Sequence, residues 1–317
     1  MRESSFFRRV AGIDGVLYSK AMQPLFTLPS FAKINLHLRI LGRRDDGFHE
    51  LCTVFQTISL YDSLTFAESD AIELTCTDKL IPTDGRNLIV WTAGKLRERF
   101  SIKLGAKIHL EKHIPSPGGL GGGSSNAAVA LIGLARLWDI DVNAGDLQAI
   151  ATEIGSDVPF FLHGGTALGT GRGEVIEAIA DTREKLMIVV TPDVRVSTRE
   201  AFAAINAARL TNFTSNRILR VCRDEAKSLD LRHAALINDF ETTVFAAFPE
   251  IRRVKETLLD LGAVNALMSG SGGSVYGIFD NEETRQAATK ALDIRSTWRK
   301  FAVATVSRDE YRDAFRR

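Results

Sequence analysis

The sequence predicts an α+β protein whose two domains face one cleft. Three observations carry this prediction. A chain of 317 residues is longer than one hydrophobic core usually organises. Strand-period and helix-period segments alternate along its first half, and from Leu186 a second series of strands and helices begins. The composition, 45% hydrophobic and 25% charged, is that of an ordinary globular protein and leaves no case for a fibrous or disordered chain.

Residues 1–27 read as a disordered extension, because Glu3 and Asp14 interrupt the segment around Arg8 and Arg9 and no signal-peptide apolar run is present. An amphipathic transit sequence and a start at Met22 are the alternatives. Residues 28–183 are then expected to form the first domain and 184–317 the second. In "FAKINLHLRI" (31–40), Ala32, Ile34, Leu36, Leu38 and Ile40 occupy one face and Lys33, Asn35, His37 and Arg39 the other, the pattern of a half-buried strand. "GRRDDG" (42–47) is a turn signal, and 48–66 mixes β-branched and aromatic residues as a strand does.

Asn87 is placed to cap a helix over 88–100. "KIHLEKHI" (107–114) alternates and stops at Pro115, and Ala127–Trp138 is a run of strong helix formers. Leu147, Ile150, Ala151 and Ile154 recur at helical spacing, with Gly155 expected to end that helix in a left-handed conformation. Glycines cluster again at 164–174. The second series has a strand at 186–190, a helix over 249–262 with Pro near its start and Gly at its end, two strands around a Ser/Gly loop within 264–279, and a final strand near 301–306.

A formal net charge of +1 argues against a dedicated nucleic-acid binder, which needs a marked basic excess to displace counterions. Cys52, Cys76 and Cys222 stand far apart, so neither a disulfide framework nor a structural zinc site is expected, and a reducing cytoplasmic setting is the natural one. No apolar run approaches the roughly 18–20 residues that span a bilayer. His109 and His113 lack a third ligand, and no metal ligand is expected from any carboxylate cluster.

"GLGGGSSNAA" (119–128) joins a strand to a helix within a few residues, so it is not a linker. Backbone N–H groups at a helix start lack intrahelical acceptors and sit at the positive end of the helix dipole, which suits phosphate. The stretch is neither G-x-x-x-x-G-K-S/T, lacking the lysine, nor G-x-G-x-x-G, since Ser124 takes the last position. A plain glycine turn stays open, as does which of Ser124 and Ser125 caps the helix. Asp157, in "GSDVPFF" (155–161), reads either as a catalytic carboxylate or, with Ser156, as the cap of a short turn. Lys33 reads as a solvated surface lysine unless a partner is found for it.

Three segments in order change these readings. "FAKINL" (31–36), "PSPGGLGGGSSNAA" (115–128) and "MSGSGGSVYGIF" (268–279) resemble the three motifs of the GHMP kinase superfamily. With "GRRDDGFHEL" (42–51) and "GSDVPFF" added, the chain is most similar to the members whose acceptor is a methylerythritol carrying a cytidine diphosphate. The resemblance implies a first domain like domain 2 of ribosomal protein S5 and a ferredoxin-like second domain. It also implies transfer of the γ-phosphoryl group of ATP, with Mg²⁺ accompanying the nucleotide, to the acceptor's 2-hydroxyl in non-mevalonate isoprenoid biosynthesis, by a monomer or homodimer.

Carried over by motif, Asp157 is the base and Lys33 lies beside it to stabilise charge on the transferring group. Pro115, Ser116, Pro117, Gly118, Gly119, Leu120, Gly121, Gly122, Gly123, Ser124 and Ser125 are expected to hold the ATP phosphates, with Asn87 and Lys112 near the nucleotide. Phe48 and His49 are expected at the cytosine ring, Phe48 standing where tyrosine is frequent, and Asn35, Phe55, Thr198 and Phe202 at further acceptor contacts. Gly273 stands where proline or alanine is common, which puts the stiffness of the third motif in question.

Overall fold

A computed structural model describes residues 25–205, 223–224, 231–233 and 236–316. Most of the expected extension (1–24) and Cys222 lie outside the described residues. The first sheet is six-stranded. Its spine is a long antiparallel pair, β1 (Phe26–Arg43) and β2 (His49–Ser69). β3 (Ile72–Cys76) runs parallel to β4 (Gly105–Glu111), β4 pairs with the end of β2, and β5 (Thr166–Gly171) pairs with its beginning and with β6 (Val175–Ala178).

β1 already begins at Phe26, inside the stretch expected as an extension. Register shifts at Phe31/Ala32 and Asn35/His37 bracket Lys33 and Asn35. Such bulges re-aim side chains next to functional sites. The expectation of a half-buried strand is corrected here: Lys33, Asn35 and His37 are as buried as the apolar face, with Gly121 of the glycine stretch and Gly270 of the second layer close against Lys33 and Gly270 against Asn35.

Helices α1 (Leu88–Phe100), α2 (Gly122–Leu137), α3 (Ala144–Ile154) and the single turn α4 (Phe160–His163) contribute Ile89, Leu96, Val129, Leu134, Ile150 and Phe160 to the core of the first sheet. α2 begins five residues before the expected Ala127, so the end of the glycine stretch is itself helical. Gly155 ends α3 with φ 175°, an extended rather than a left-handed conformation. β4 stops at Glu111 instead of continuing to Ile114 because Asp62 Oδ1 captures the N–H groups of His113 and Ile114, at 2.7 and 2.8 Å.

The second sheet is antiparallel, in the order β10 (Trp298–Val303), β7 (Met187–Pro192), β9 (Val275–Ile278), β8 (Asn265–Met268). Its last strand lies three residues earlier than expected. Helices α5 (Thr198–Ala204), α6 (Glu241–Ala247), α7 (Pro249–Asp260) and α8 (Glu282–Ala291) accompany it, α7 burying Ile251, Val254 and Leu258. The two layers share apolar surface: Ile34, Leu36 and Ile58 of the first pack with Val189, Leu267 and Tyr276 of the second. The final helix, α9 (Arg308–Ala314), returns to the first core through Tyr311, whose hydroxyl donates to Phe161 O at 2.5 Å. The expected unit 184–317 therefore does not close on itself.

Candidate active site

A cleft of about 1450 Å³ opens between the two layers, larger than the 300–1,000 Å³ typical of a pocket for one small ligand. Among the described residues that line it, Asp157 is the one carboxylate, facing Lys33, Arg43, Arg172 and Arg199. A cleft so charged favours ligands rich in phosphate.

The floor is built from β1 and β2. Lys33 Nζ donates to Asn35 Oδ1 at 2.7 Å, Asn35 Nδ2 to Thr53 Oγ1 at 2.7 Å, and Thr53 Oγ1 to His37 O at 2.8 Å. This relay leaves the lysine little rotamer freedom, and its ammonium sits 5.4 Å above the ring of Phe55. Lys33 Nζ lies 3.4 Å from Asp157 Oδ2, with the lysine side chain 4% exposed and the carboxylate 34%. The cation is thus sunk in the floor while its partner reaches the open cleft. The capping alternative for Asp157 falls away, because the short helix after it has Pro159 at its N-cap and no side-chain cap bond.

The glycine stretch crosses the cleft wall. Leu120 O accepts from Lys33 N at 2.9 Å, so loop and strand move as one. Gly121 is the N-cap of α2 with φ 69° and no side-chain cap bond, which answers the capping question: neither Ser124 nor Ser125 caps the helix. Ser124 lines the cleft, whereas Ser125 is fully buried and accepts from Ser30 Oγ at 2.8 Å. At Gly119, φ is 72° and an added Cβ would lie 2.2 Å from Ser269 O, so both backbone conformation and space demand glycine there.

The third motif clamps the same loop from the second layer. Ser269 Oγ donates to Gly119 O at 2.9 Å and Ser274 N to Gly118 O at 3.0 Å. Gly273 has φ 97°, a value proline cannot adopt, so these bonds rather than a proline ring hold this loop.

Three expected nucleotide contacts do not line the cleft. Ser125 is one. Asn87 spends its side chain locally, Oδ1 accepting from Ile89 N at 2.9 Å and Nδ2 donating to Pro82 O at 2.7 Å. Lys112 is buried rather than solvated, donating to Asp62 Oδ2 at 2.6 Å and Ile114 O at 2.8 Å. Burial pushes the Lys112 ammonium below its usual range, with Asp62 opposing that shift. Asp62, which no sequence signal singled out, also accepts from Asn126 Nδ2 at 2.9 Å, so one carboxylate ties both ends of the glycine loop.

The far end of the cleft is aromatic. Phe48 is 51% exposed there, with the Arg172 guanidinium 4.8 Å from its ring centre. His49 stacks on Phe202 at 5.1 Å and 25°, and Phe202 meets Phe240 edge-on at 4.8 Å. Burial, and next the charge of Arg43, hold His49 below the ordinary histidine range. The ring is therefore neutral near pH 7, and folding stability falls as pH drops through the ordinary range, where the unfolded chain takes up the proton first. Thr198 and Ser271 hydroxyls meet at 2.9 Å across the mouth, and Phe55 packs on Phe160 at 5.0 Å beneath Lys33. Lys33, Asn35, Phe48, His49, Phe55, Asp157, Thr198 and Phe202 all line this one cleft together with Pro115–Ser124.

The GHMP kinases N terminal domain model matches residues 87–165, and the GHMP kinases C terminal model matches 221–296. The chain is 43% identical over 278 residues to the 4-diphosphocytidyl-2-C-methyl-D-erythritol kinase of Chlorobium phaeobacteroides (strain BS1), covering 85% of this chain and 93% of that protein. It is 39% identical over 279 residues to the protein of the same name from Syntrophotalea carbinolica, covering 87% and 97%. A crystal structure of 4-(cytidine 5'-diphospho)-2C-methyl-D-erythritol kinase superposes with a TM-score of 0.71 at 32% identity, over 88% of this chain and 99% of that one. Homoserine kinase from Cytophaga hutchinsonii shares the fold, with a TM-score of 0.62 at 19% identity over 93% and 99%. On this likeness in sequence and fold, the chain belongs to the 4-diphosphocytidyl-2-C-methyl-D-erythritol kinase family of the GHMP kinases.

Proposed function

We propose that this cleft transfers the γ-phosphoryl group of ATP to the 2-hydroxyl of 4-diphosphocytidyl-2-C-methyl-D-erythritol, yielding ADP and the 2-phosphate in non-mevalonate isoprenoid biosynthesis. The observation that carries the reading is Asp157, the one carboxylate among the described residues lining the cleft, paired with buried Lys33 between a glycine loop and an aromatic end. Phosphoryl transfer asks for positioning, charge neutralisation and a group to take the hydroxyl proton. Asp157 accepts that proton. Lys33, fixed by Asn35 and by Leu120 O, stays between the carboxylate and the loop and stabilises charge on the group in flight.

The first-turn N–H groups of α2 and the tight glycines from 118 to 123 cradle the nucleotide phosphates. Gly121 is required by its φ of 69° and by space, since an added Cβ would lie 2.8 Å from Phe161 Cζ and 3.0 Å from Lys33 Cγ. Mg²⁺ accompanying the nucleotide would supply charge neutralisation at the phosphates, and among the described residues no group of three or more His, Cys, Asp or Glu side chains is placed to hold it. Phe48, neutral His49 and Phe202 receive the cytosine ring by stacking and hydrogen bonding. No described helix is long and apolar enough to cross a membrane.

ADP release measured with this acceptor, homoserine, mevalonate and galactose in parallel tests the reading. Release with the cytidyl acceptor alone is expected. Release only with another acceptor, or with none, would contradict it.

A further inference from the structure

Behind the cleft, the segment "NDFE" (238–241) joins parts of the site that belong to different elements. It lies against β1: Leu38 N donates to Ile237 O at 2.8 Å, and Asp239 N to Leu38 O at 3.0 Å. Asn238 is buried and does not itself line the cleft. Its Nδ2 donates to Met268 O at 2.7 Å and to Gly270 O at 2.8 Å, and its Oδ1 accepts from Phe240 N at 3.0 Å. Two acceptors on one side and a donor on the other fix which way round this amide stands. A carboxyl group of the same size could not donate to both carbonyls, and an aliphatic side chain would satisfy none of the three groups.

The two sides of the amide lead to opposite ends of the cleft. On the Nδ2 side, residues 268–270 begin the third motif. Ser269 Oγ donates to Gly119 O of the glycine loop at 2.9 Å, and at Gly270, with φ 59°, an added Cβ would lie 3.3 Å from Lys33 Nζ. Holding the carbonyls of the residues before and after Ser269 fixes the direction of the serine that clamps the loop. On the Oδ1 side, Phe240 meets Phe202 edge-on at 4.8 Å, and Phe202 stacks on His49 at 5.1 Å. A buried side chain with every polar atom paired to a different part of a site holds those parts in one arrangement.

Resting on the reading of these two ends as nucleotide and cytidine sites, we propose that Asn238 is a positioning residue that serves both substrates through one amide. Its Nδ2 sets the third motif against the glycine loop for the nucleotide, and its Oδ1 sets the aromatic end for the base. Calorimetric titration of a non-hydrolysable ATP analogue and, separately, of cytidine into the full chain tests this. Asn238→Asp keeps an oxygen for Phe240 N and gives up at least one donation, so it is expected to lose about tenfold in affinity for the analogue while keeping its affinity for cytidine. Asn238→Ala gives up both sides and is expected to weaken both ligands. A merely structural residue would lower the unfolding midpoint without separating the ligands, so an equal change in both for Asn238→Asp, or no change in either, would overturn the assignment. If neither variant folds, Ser269→Ala and Phe240→Leu separate the two sides. The first is expected to weaken the analogue alone and the second cytidine alone, and any other pattern would overturn the assignment. Failure of the unaltered protein to bind one of the two ligands would instead overturn the reading of that end of the cleft.

Discussion

Replacing Asp157 with asparagine is expected to lower kcat by about 10²–10⁴-fold, the usual worth of a positioned general base, while ATP binding stays close to that of the unaltered protein. Asparagine keeps the shape and the approach to Lys33 but cannot take the hydroxyl proton. No other described carboxylate lines the cleft to substitute for it. Lys33 also keeps its hydrogen bond to Asn35 Oδ1, so the floor survives the change. Steady-state turnover together with equilibrium nucleotide binding checks this. Near-normal turnover would remove Asp157 from the role, and a collapse of nucleotide binding would show that the change damages the loop.

Asp62→Ala is expected to cost about 3–5 kcal/mol of folding stability, the penalty for leaving a buried charge without its partner. Lys112 and Asp62 have side chains 5% and 0% exposed, so solvent screens neither. The same change releases His113, Ile114 and Asn126, the two ends of the phosphate loop, and should raise KM for ATP more than KM for the acceptor. Asp62→Asn, which still accepts from the N–H groups but carries no charge, is expected to lose less. Urea unfolding curves and paired KM measurements provide the check. An unchanged unfolding midpoint in Asp62→Ala would refute the clamp, and an equal rise in both KM values would detach it from the nucleotide.

Much of the architecture is legible in the sequence because period and punctuation agree locally. Asn87 caps its helix as expected, with Oδ1 on Ile89 N, and Pro249 opens another at its first turn. Legibility fails where tertiary contacts decide. Alternation in β1 correctly separates two faces, yet it cannot report that Tyr276 and its neighbours from the second layer cover the apolar one while Gly121 and Gly270 close over Lys33 on the other. The early start of α2 was hidden because glycine has poor intrinsic helix propensity, yet Ser125 N donates to Gly121 O at 2.8 Å and the helix starts at Gly122.

The candidate site divides in the same way. The glycine loop and "GSDVPFF" carry their own local signals, and Lys33 gains meaning only beside Asp157. The resemblance placed Asn87 and Lys112 near the nucleotide, but their hydrogen bonds are spent on the backbone and on Asp62. Arg172 escaped notice because its partner Phe48 lies on a distant stretch of chain, although an arginine flanked by two glycines is itself a readable sign of a presented side chain.

Phosphorus NMR of the product formed from ATP and 4-diphosphocytidyl-2-C-methyl-D-erythritol tests the central claim most directly. One new phosphomonoester on the acceptor's 2-oxygen, with the diphosphate intact and ADP formed in equal amount, is the predicted result. Inorganic phosphate in place of that ester, or an ester at another position, would contradict it.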